Sequence, residues 1–341
     1  MKYEIIKSYL NEIELDRSAI PLINDIYGNY YCKYLFKILK VSMLSKVKYF
    51  SFRSFVIFYI YTFPLSLATY VGIQYVRTLF KKNKVLSSTN VGLVIGHKSV
   101  INFDKINIKD VKNINVRNGE INNFLTRKEN YYAFISSLSA IFQCIKKTAS
   151  YDKVVYASLK LHMNDVFAVA SLITFVRKYD KRGVCLLMDN HYDRWAYIVS
   201  TTIKNSNSYL IQHGYLNPNI PLPNKLGRID RLYVYDHSFA LMFNKYYREI
   251  VNTRLIYPDI KLSSLPNDKV SVLVISSLPF VSYELDIIKK ALICKSIRLY
   301  LKTHPGYEYR DMFNEFSDHI DFIEKNDFPN ADILITYNSF L

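Results

Sequence analysis

Short apolar runs recur along the chain from Val91 onward, each closed by a polar cluster and most followed by a segment with helical spacing. Val91–Gly96, Val184–Met188, Ser208–Ile211, Arg231–Tyr235, Val270–Ile275, Ile297–Leu301 and Asp332–Thr336 read as strands, with shorter ones near Asn113–Val116, Lys153–Ala157 and Ile320–Ile323. Tyr131–Ala149, Asn164–Tyr179, Tyr192–Lys204, Phe239–Tyr247 and Tyr283–Ile293 read as helices, the second capped by Asn164. Such alternation with short connections predicts an α/β chain of mostly parallel sheets covered on both faces. Met1–Leu44 reads as mostly helical, interrupted at Asp25–Gly28.

Polar linkers at Lys81–Asn90 and Leu262–Lys269 divide this pattern into three parts. Residues 1–88 form a helical, basic and aromatic region; residues 89–262 form a first Rossmann-like domain. Residues 263–341 repeat its alternation as a second, partial domain across a cleft. That domain reads as short, because the chain stops almost on Ser339, where a further helix and strand are expected.

Half of the 341 residues are apolar, with 30 tyrosines and 21 phenylalanines against nine glycines, which excludes low-complexity disorder. The four cysteines, Cys32, Cys144, Cys185 and Cys294, lie far apart and read as single buried thiols of a cytosolic protein. The net charge of +16 is unevenly placed: Lys33–Lys84 holds ten basic residues and no acidic one. Within it Ser54–Val76 is uncharged for 23 residues, with Pro64 near its middle. That length allows three readings: a membrane span, a buried helical pair, or a bent aromatic element lying on an anionic membrane. Gln74 and the tyrosines favour the last. The mixed, charged Met1–Pro21 has no signal-peptide layout, so the expected location is cytoplasmic, peripheral on the inner face of the membrane. Nucleic acid is not an expected partner, because the basic excess lies beside an apolar run and no compact RNA-binding motif is present.

There is no G-x-G-x-x-G after the early strands, no Walker A sequence, no H-E-x-x-H and no G-x-S-x-G. No D-x-D pair suggests a divalent ion, so the chemistry reads as metal-independent, without a cofactor. The polar groups that remain sit at strand ends, where open α/β sheets bind ligands. Asp189 and His191 follow Val184–Met188, and Gln212, His213 and Gly214 follow Ser208–Ile211. Locally, His213 reads equally as a loop histidine beside a turn glycine or as a ligand-facing group. His97, His162 and Asp236–Ser238 are expected near the same rim. In the second domain, Pro305 biases His304 to an extended conformation. Lys302 lies two residues before His304, so both side chains share a side if the strand continues; a cation and an imidazole there suit a phosphate leaving group. Alone, Lys302 reads better as a solvated strand end. Asn338 and Ser339 follow the last strand and offer an amide and a hydroxyl to a phosphate or sugar.

Lys302–Pro305 (KTHP), followed by ADILITYNS at Ala331–Ser339, resembles the second-domain signature of bacterial capsule and surface-polysaccharide glycosyltransferases of the two-domain GT-B type. These include polysialyltransferase-like and sialyltransferase-like enzymes and the teichoic-acid glycerophosphotransferases. IQHGYLNPN at Ile211–Asn219 is similar to the histidine–glycine loop of their first domain. The chain departs from the family in having Asn338-Ser339-Phe340 where a Ser-Ser or Ser-Thr turn is usual, and in ending before a glutamate-bearing helix. The resemblance implies sugar transfer from a nucleotide-activated donor, a cytidine or other nucleotide, to a glycan or lipid-linked glycan acceptor, with polysaccharide-assembly proteins as further partners. It makes residues 89–262 the acceptor side and 263–341 the donor side. His304 and Pro305 would then hold the donor phosphate with Lys302, Asn338 and Ser339, while Gln212 and Gly214 line the cleft. His213 is the first candidate for the base, with Asp189 and His191 as rivals. A CDP-alditol-dependent polyol-phosphate transferase and a catalytically inactive assembly partner are the alternatives.

Overall fold

In a computed structural model of the chain, the residues described are 2–27, 52–96, 99–151, 153–189, 194–213, 222–256, 262–266, 268–276, 280–303, 309–324 and 327–336. Two compact units emerge, the first comprising Met1–His213 and Ile220–Ile256, the second centred on Tyr257–Leu341. The fold class is α/β, with all strand pairings parallel and nine α-helices among the described residues.

The first unit opens with helices α1 (Lys2–Tyr27) and α2 (Phe52–Leu79). Then come strand β1 (Asn90–Val94), helix α3 (Ser99–Asp104) and strand β2 (Val111–Asn115). Three helices follow: α4 (Arg127–Thr148), α5 (Lys153–Met163) and α6 (Val166–Asp180). The unit continues through β3 (Cys185–Met188), α7 (Arg194–Thr202), β4 (Ser208–Ile211), β5 (Leu226–Ile229) and β6 (Arg231–Val234). It closes with α8 (His237–Tyr246), β7 (Tyr247–Ile250) and β8 (Thr253–Leu255). Its main sheet has the order β2-β1-β3-β4-β6-β8, while β5 and β7 form a separate pair. Strand order reverses between β1 and β3: the chain passes from β1 to β2 on one side and then to β3 on the other. That is a topological switch point, the place where open α/β sheets generally bind ligands.

Local chemistry explains the main boundaries. Thr126 and Glu129 form a reciprocal capping box at the start of α4, with Thr126 N donating to Glu129 Oε2 at 2.6 Å and Glu129 N to Thr126 Oγ1 at 3.2 Å. Asp236 caps α8 by accepting from Ser238 N at 2.8 Å. Asp180 ends α6 and accepts from the backbone of Lys204, Asn205 and Ser206, tying the entry of β4 to that of β3.

Several features differ from the sequence reading. Lys153–Ala157 is not a strand but the first turns of α5, which buries Val155, Tyr156, Leu159 and Met163 at helical spacing. The cap of α6 is Asp165 rather than Asn164, and it makes no side-chain cap bond. The two described N-terminal helices do not stand apart: α1 packs on α4, α5 and α7, and α2 on α4 and α5, all within the first unit. The helix α2 runs through Pro64. No helix among the described residues is long and apolar enough to cross a membrane. Cys144 and Cys185 are buried, but Cys294 is exposed, contrary to the expectation of buried thiols.

The second unit comprises β9 (Val270–Ile275), α9 (Val281–Ala291), β10 (Ile297–Lys302), β11 (Ile320–Phe322) and β12 (Ile333–Thr336). These strands form a parallel sheet of order β11-β10-β9-β12. Its core alternates as strand geometry requires. Val272, Val274, Leu299 and Leu301 face α9 and the turn at Arg310–Phe316 through Val281, Ile288 and Phe313. Leu273, Ile275 and Tyr300 form a cluster on the opposite face.

Candidate functional site

The switch point of the first unit gathers side chains from three strand ends. Beyond β1, Gly96 leads into α3, where Ser99 Oγ accepts from Ile95 N at 3.2 Å and Gly96 N at 3.0 Å. Ser99 and Asn102 lie three residues apart on α3 and therefore on one helix face. Both donate to Asp189, which follows β3: Ser99 Oγ to Oδ1 at 2.9 Å and Asn102 Nδ2 to Oδ2 at 3.1 Å. Beyond β4, His213 places Nδ1 3.1 Å from the same Oδ2. Asp189 is 1% exposed, and a carboxylate that deep is tolerated only when its oxygens are hydrogen-bonded.

This arrangement selects the histidine tautomer. An ionised carboxylate can only accept, so His213 Nδ1 carries the proton that meets Oδ2, and Nε2 is the basic nitrogen of the neutral ring. Asn102 Nδ2 lies 3.4 Å from Nδ1, two donors converging on one oxygen. The side chain of His213 remains 30% exposed while its partner is buried. A buried carboxylate behind a partly exposed imidazole fixes the orientation of the ring.

Neighbouring groups fix and polarise the dyad. Gln212 is fully buried, and it clamps β4 to β6: its N donates to Tyr233 O, and its Oε1 accepts from Tyr235 N, both at 2.9 Å. Its side chain thus determines where His213 leaves the sheet. Tyr235 has its phenol held above the ordinary range, first by burial and then by the negative charge of Asp189. Lys105, one turn beyond Asn102, donates to Asn102 Oδ1 at 3.2 Å and lies 5.6 Å from the Tyr235 ring centroid. Phe103 can press against β1 because Gly92 has no side chain: a Cβ there would lie 2.6 Å from the Phe103 ring and 2.3 Å from Asn113 Oδ1. Gly92 thereby sets the height of α3 and of the two donors it carries.

The other expected site residues have different fates. His97, His191, Gly214, His304, Pro305, Asn338 and Ser339 lie outside the described residues. Lys302 is described, and it is 5% exposed rather than presented at the strand end. Its ammonium donates to Glu324 O at 2.6 Å and Asp327 O at 2.8 Å and sits 4.5 Å from the Phe328 ring centroid. Burial lowers its pKa, against the opposing pull of Asp327 and Glu324. Lys302 therefore holds the loop that follows β11. Also in that unit, Ser276 beyond β9 donates to Glu284 of α9, while Ser276 O accepts from Tyr309 Oη at 2.8 Å.

His162, expected at the strand-end rim, instead joins α5 to α1. Its Nδ1 lies 2.9 Å from Glu12 Oε2 and its Nε2 2.7 Å from Asp16 Oδ2. Arg194, the first residue of α7, pairs with Glu12 and Asp165, donates to His162 O at 2.7 Å and lies 4.0 Å from the Tyr9 ring centroid. Among the described residues, no group of three or more His, Cys, Asp or Glu side chains is placed to hold a metal ion.

The sequence singled out Asp189, Gln212 and His213, which the structure brings together, but not Ser99, Asn102, Lys105 and Tyr235, which join them. The only local sign of the first two was their helical spacing after a strand-end glycine; nothing local linked them to Asp189. No family model matches the chain, nor does any curated protein or solved structure.

Proposed function

We propose that this protein is a glycosyltransferase that moves a sugar from a nucleotide-activated donor to a capsule, O-antigen or other surface-glycan acceptor. The observation that carries this reading is the Asp189–His213 dyad at the switch point of the first sheet. His213 Nε2 takes the proton of the acceptor hydroxyl as its oxygen attacks the anomeric carbon, and Asp189 stabilises the resulting imidazolium. The bond to the donor phosphate breaks, and the nucleotide leaves with the electron pair. Ser99 and Asn102 keep Asp189 in place, while Lys105 and Tyr235 border the acceptor. In the second unit the phosphate falls to His304 and Pro305 with Asn338 and Ser339, as the KTHP and YNS motifs suggest. Lys302 shapes that unit through its bonds to loop carbonyls. The two-unit architecture is read as GT-B-like, the enzyme as working without a resident cofactor on lipid-linked acceptors at the cytoplasmic face of the membrane, beside other assembly proteins.

The test is a panel of cytidine- and uridine-activated sugars and CDP-alditols, offered with membrane-extracted glycan acceptors. Release of nucleotide with a sugar donor and acceptor together supports the reading. Turnover with an alditol-phosphate donor alone would reassign the chain to polyol-phosphate transfer. Absence of turnover with every donor would leave the role of an inactive assembly partner.

A further inference from the structure

A helix on the surface of a globular unit normally has one apolar face, turned inward. Helix α2 has two. Its buried stripe is Phe63, Leu67, Val71 and Thr78, which faces the unit interior. On the opposite side Leu65, Ile73 and Val76, with Phe80 just past the helix end, recur at helical spacing and are exposed; Leu65 is 74% and Phe80 84% exposed. The neighbouring α4 repeats the arrangement. Ala133, Ala140, Ile141 and Cys144 point inward, whereas Tyr131, Ile135 and Phe142 form an exposed stripe. The two stripes adjoin, because Tyr75 of α2 stacks on Phe134 of α4 with ring centroids 4.6 Å apart and meets Tyr131 at 6.2 Å. Tyr131 belongs both to this seam and to the exposed stripe.

Cations border that face. Arg77, Lys82 and Lys84 are exposed at the end of α2 and in the segment after it. Lys128, also exposed, lies 5.9 Å from the Tyr132 ring centroid at the start of α4. No acidic residue occurs in Lys33–Lys84.

We propose that the outward face of α2 and α4 is a docking surface for an anionic lipid bilayer, on which the first unit lies without crossing it. The chemistry selects this occupant. Aliphatic side chains with tyrosines at their margin suit the boundary between acyl chains and headgroups, where the phenol stays hydrated. The flanking lysines and arginine meet anionic headgroups, each cation near the surface strengthening binding several-fold. A second copy of the chain is a poorer occupant, because a twofold contact would bring these cations against their own counterparts. This inference does not rest on the transferase reading, since neither the dyad nor the second unit enters it.

The experiment is flotation of the purified full chain with vesicles of phosphatidylcholine alone and of phosphatidylcholine mixed with phosphatidylglycerol. The chain is expected to float with the mixed vesicles at low salt and to be released as salt rises. Leu65→Ser/Ile73→Ser/Phe80→Ser, all at exposed positions, is expected to lower partitioning at least about tenfold with an unchanged melting temperature. Lys82→Gln/Lys84→Gln is expected to lower binding to the anionic vesicles by roughly thirty-fold. Failure of the wild-type chain to float, or wild-type flotation by both variants, would overturn the proposal. So would equal partitioning on neutral and anionic vesicles. A concentration-dependent dimer abolished by the apolar substitutions, with vesicle binding unaffected, would reassign the face to a second copy.

Discussion

His162 should make the first unit lose stability on the alkaline side of neutrality. Both ring nitrogens face carboxylates, Glu12 at 2.9 Å and Asp16 at 2.7 Å, so the ring is held as an imidazolium. Burial alone would push its pKa down; the hydrogen bonds it donates to Asp16 and Glu12, and their charges, overcome this and raise it from 6.5 to about 9. A folded-state pKa above the unfolded one means stabilisation that is fully present below about pH 6.5 and lost as pH rises through about 9. At about 1.36 kcal/mol per pH unit, that interval corresponds to roughly 3 kcal/mol. The ring is 27% exposed, so the figure is an upper bound. The perturbation is His162→Gln, which cannot titrate but keeps a donor. The assay is urea unfolding between pH 6 and pH 10, followed by the fluorescence of Trp195, the chain's one tryptophan, buried next to Arg194 of the same cluster. Wild type should exceed the variant most at pH 6, and the gap should close towards pH 10. A gap that stays constant across this range would refute the assignment of an imidazolium clamp between α5 and α1.

Two further substitutions probe how the units are built. Gly92→Ala drives a methyl group into Phe103 and Asn113, so it should cost about 1–3 kcal/mol by thermal melting and, by displacing Ser99 and Asn102, slow transfer as well. Melting at the wild-type temperature with full activity would show that α3 is not set by that contact. Lys302→Met removes the donor to two carbonyls and should destabilise the second unit by about 2–3 kcal/mol, read as faster proteolysis within residues 257–341. Unchanged proteolysis would show that these two bonds do not hold the second unit together.

The sheets were legible wherever a strand is buried on both faces. Val184–Met188, Val270–Ile275 and Ile297–Leu301 are near-continuous apolar runs, and each is a strand at or within a residue or so of the expected bounds. Lys153–Ala157 misled because two adjacent valines look like a strand in a five-residue window, whereas Leu159 and Met163 complete a helical stripe just beyond it. Strands β5, β7 and β8 were missed because LGRI, YREI and TRL carry charge and no apolar alternation. In β5 the glycine is structural: a Cβ on Gly227 would lie 2.1 Å from Ser200 O of α7, so only glycine lets that helix approach. His213 and Asp189 could be found because strand ends point to a common rim. Ser99 and Asn102 could not, since their link to Asp189 spans about ninety residues and depends on β1 and β3 being neighbours. Likewise the sequence suggested that Lys302 would face the rim, but the carbonyls that capture it come from a loop more than twenty residues away.

The central claim is that His213, held by Asp189, removes the acceptor proton. Single-turnover transfer by His213→Ala and Asp189→Asn, with nucleotide binding measured on the same preparations, tests it most directly. General base catalysis of this kind contributes about 100-fold or more. The account predicts that His213→Ala lowers the rate at least about 100-fold while nucleotide affinity stays within about threefold of wild type. Asp189→Asn should be impaired as well, since the amide that replaces the carboxylate can turn its nitrogen towards His213 and disfavour the productive tautomer. Transfer by His213→Ala at the wild-type rate would contradict the account.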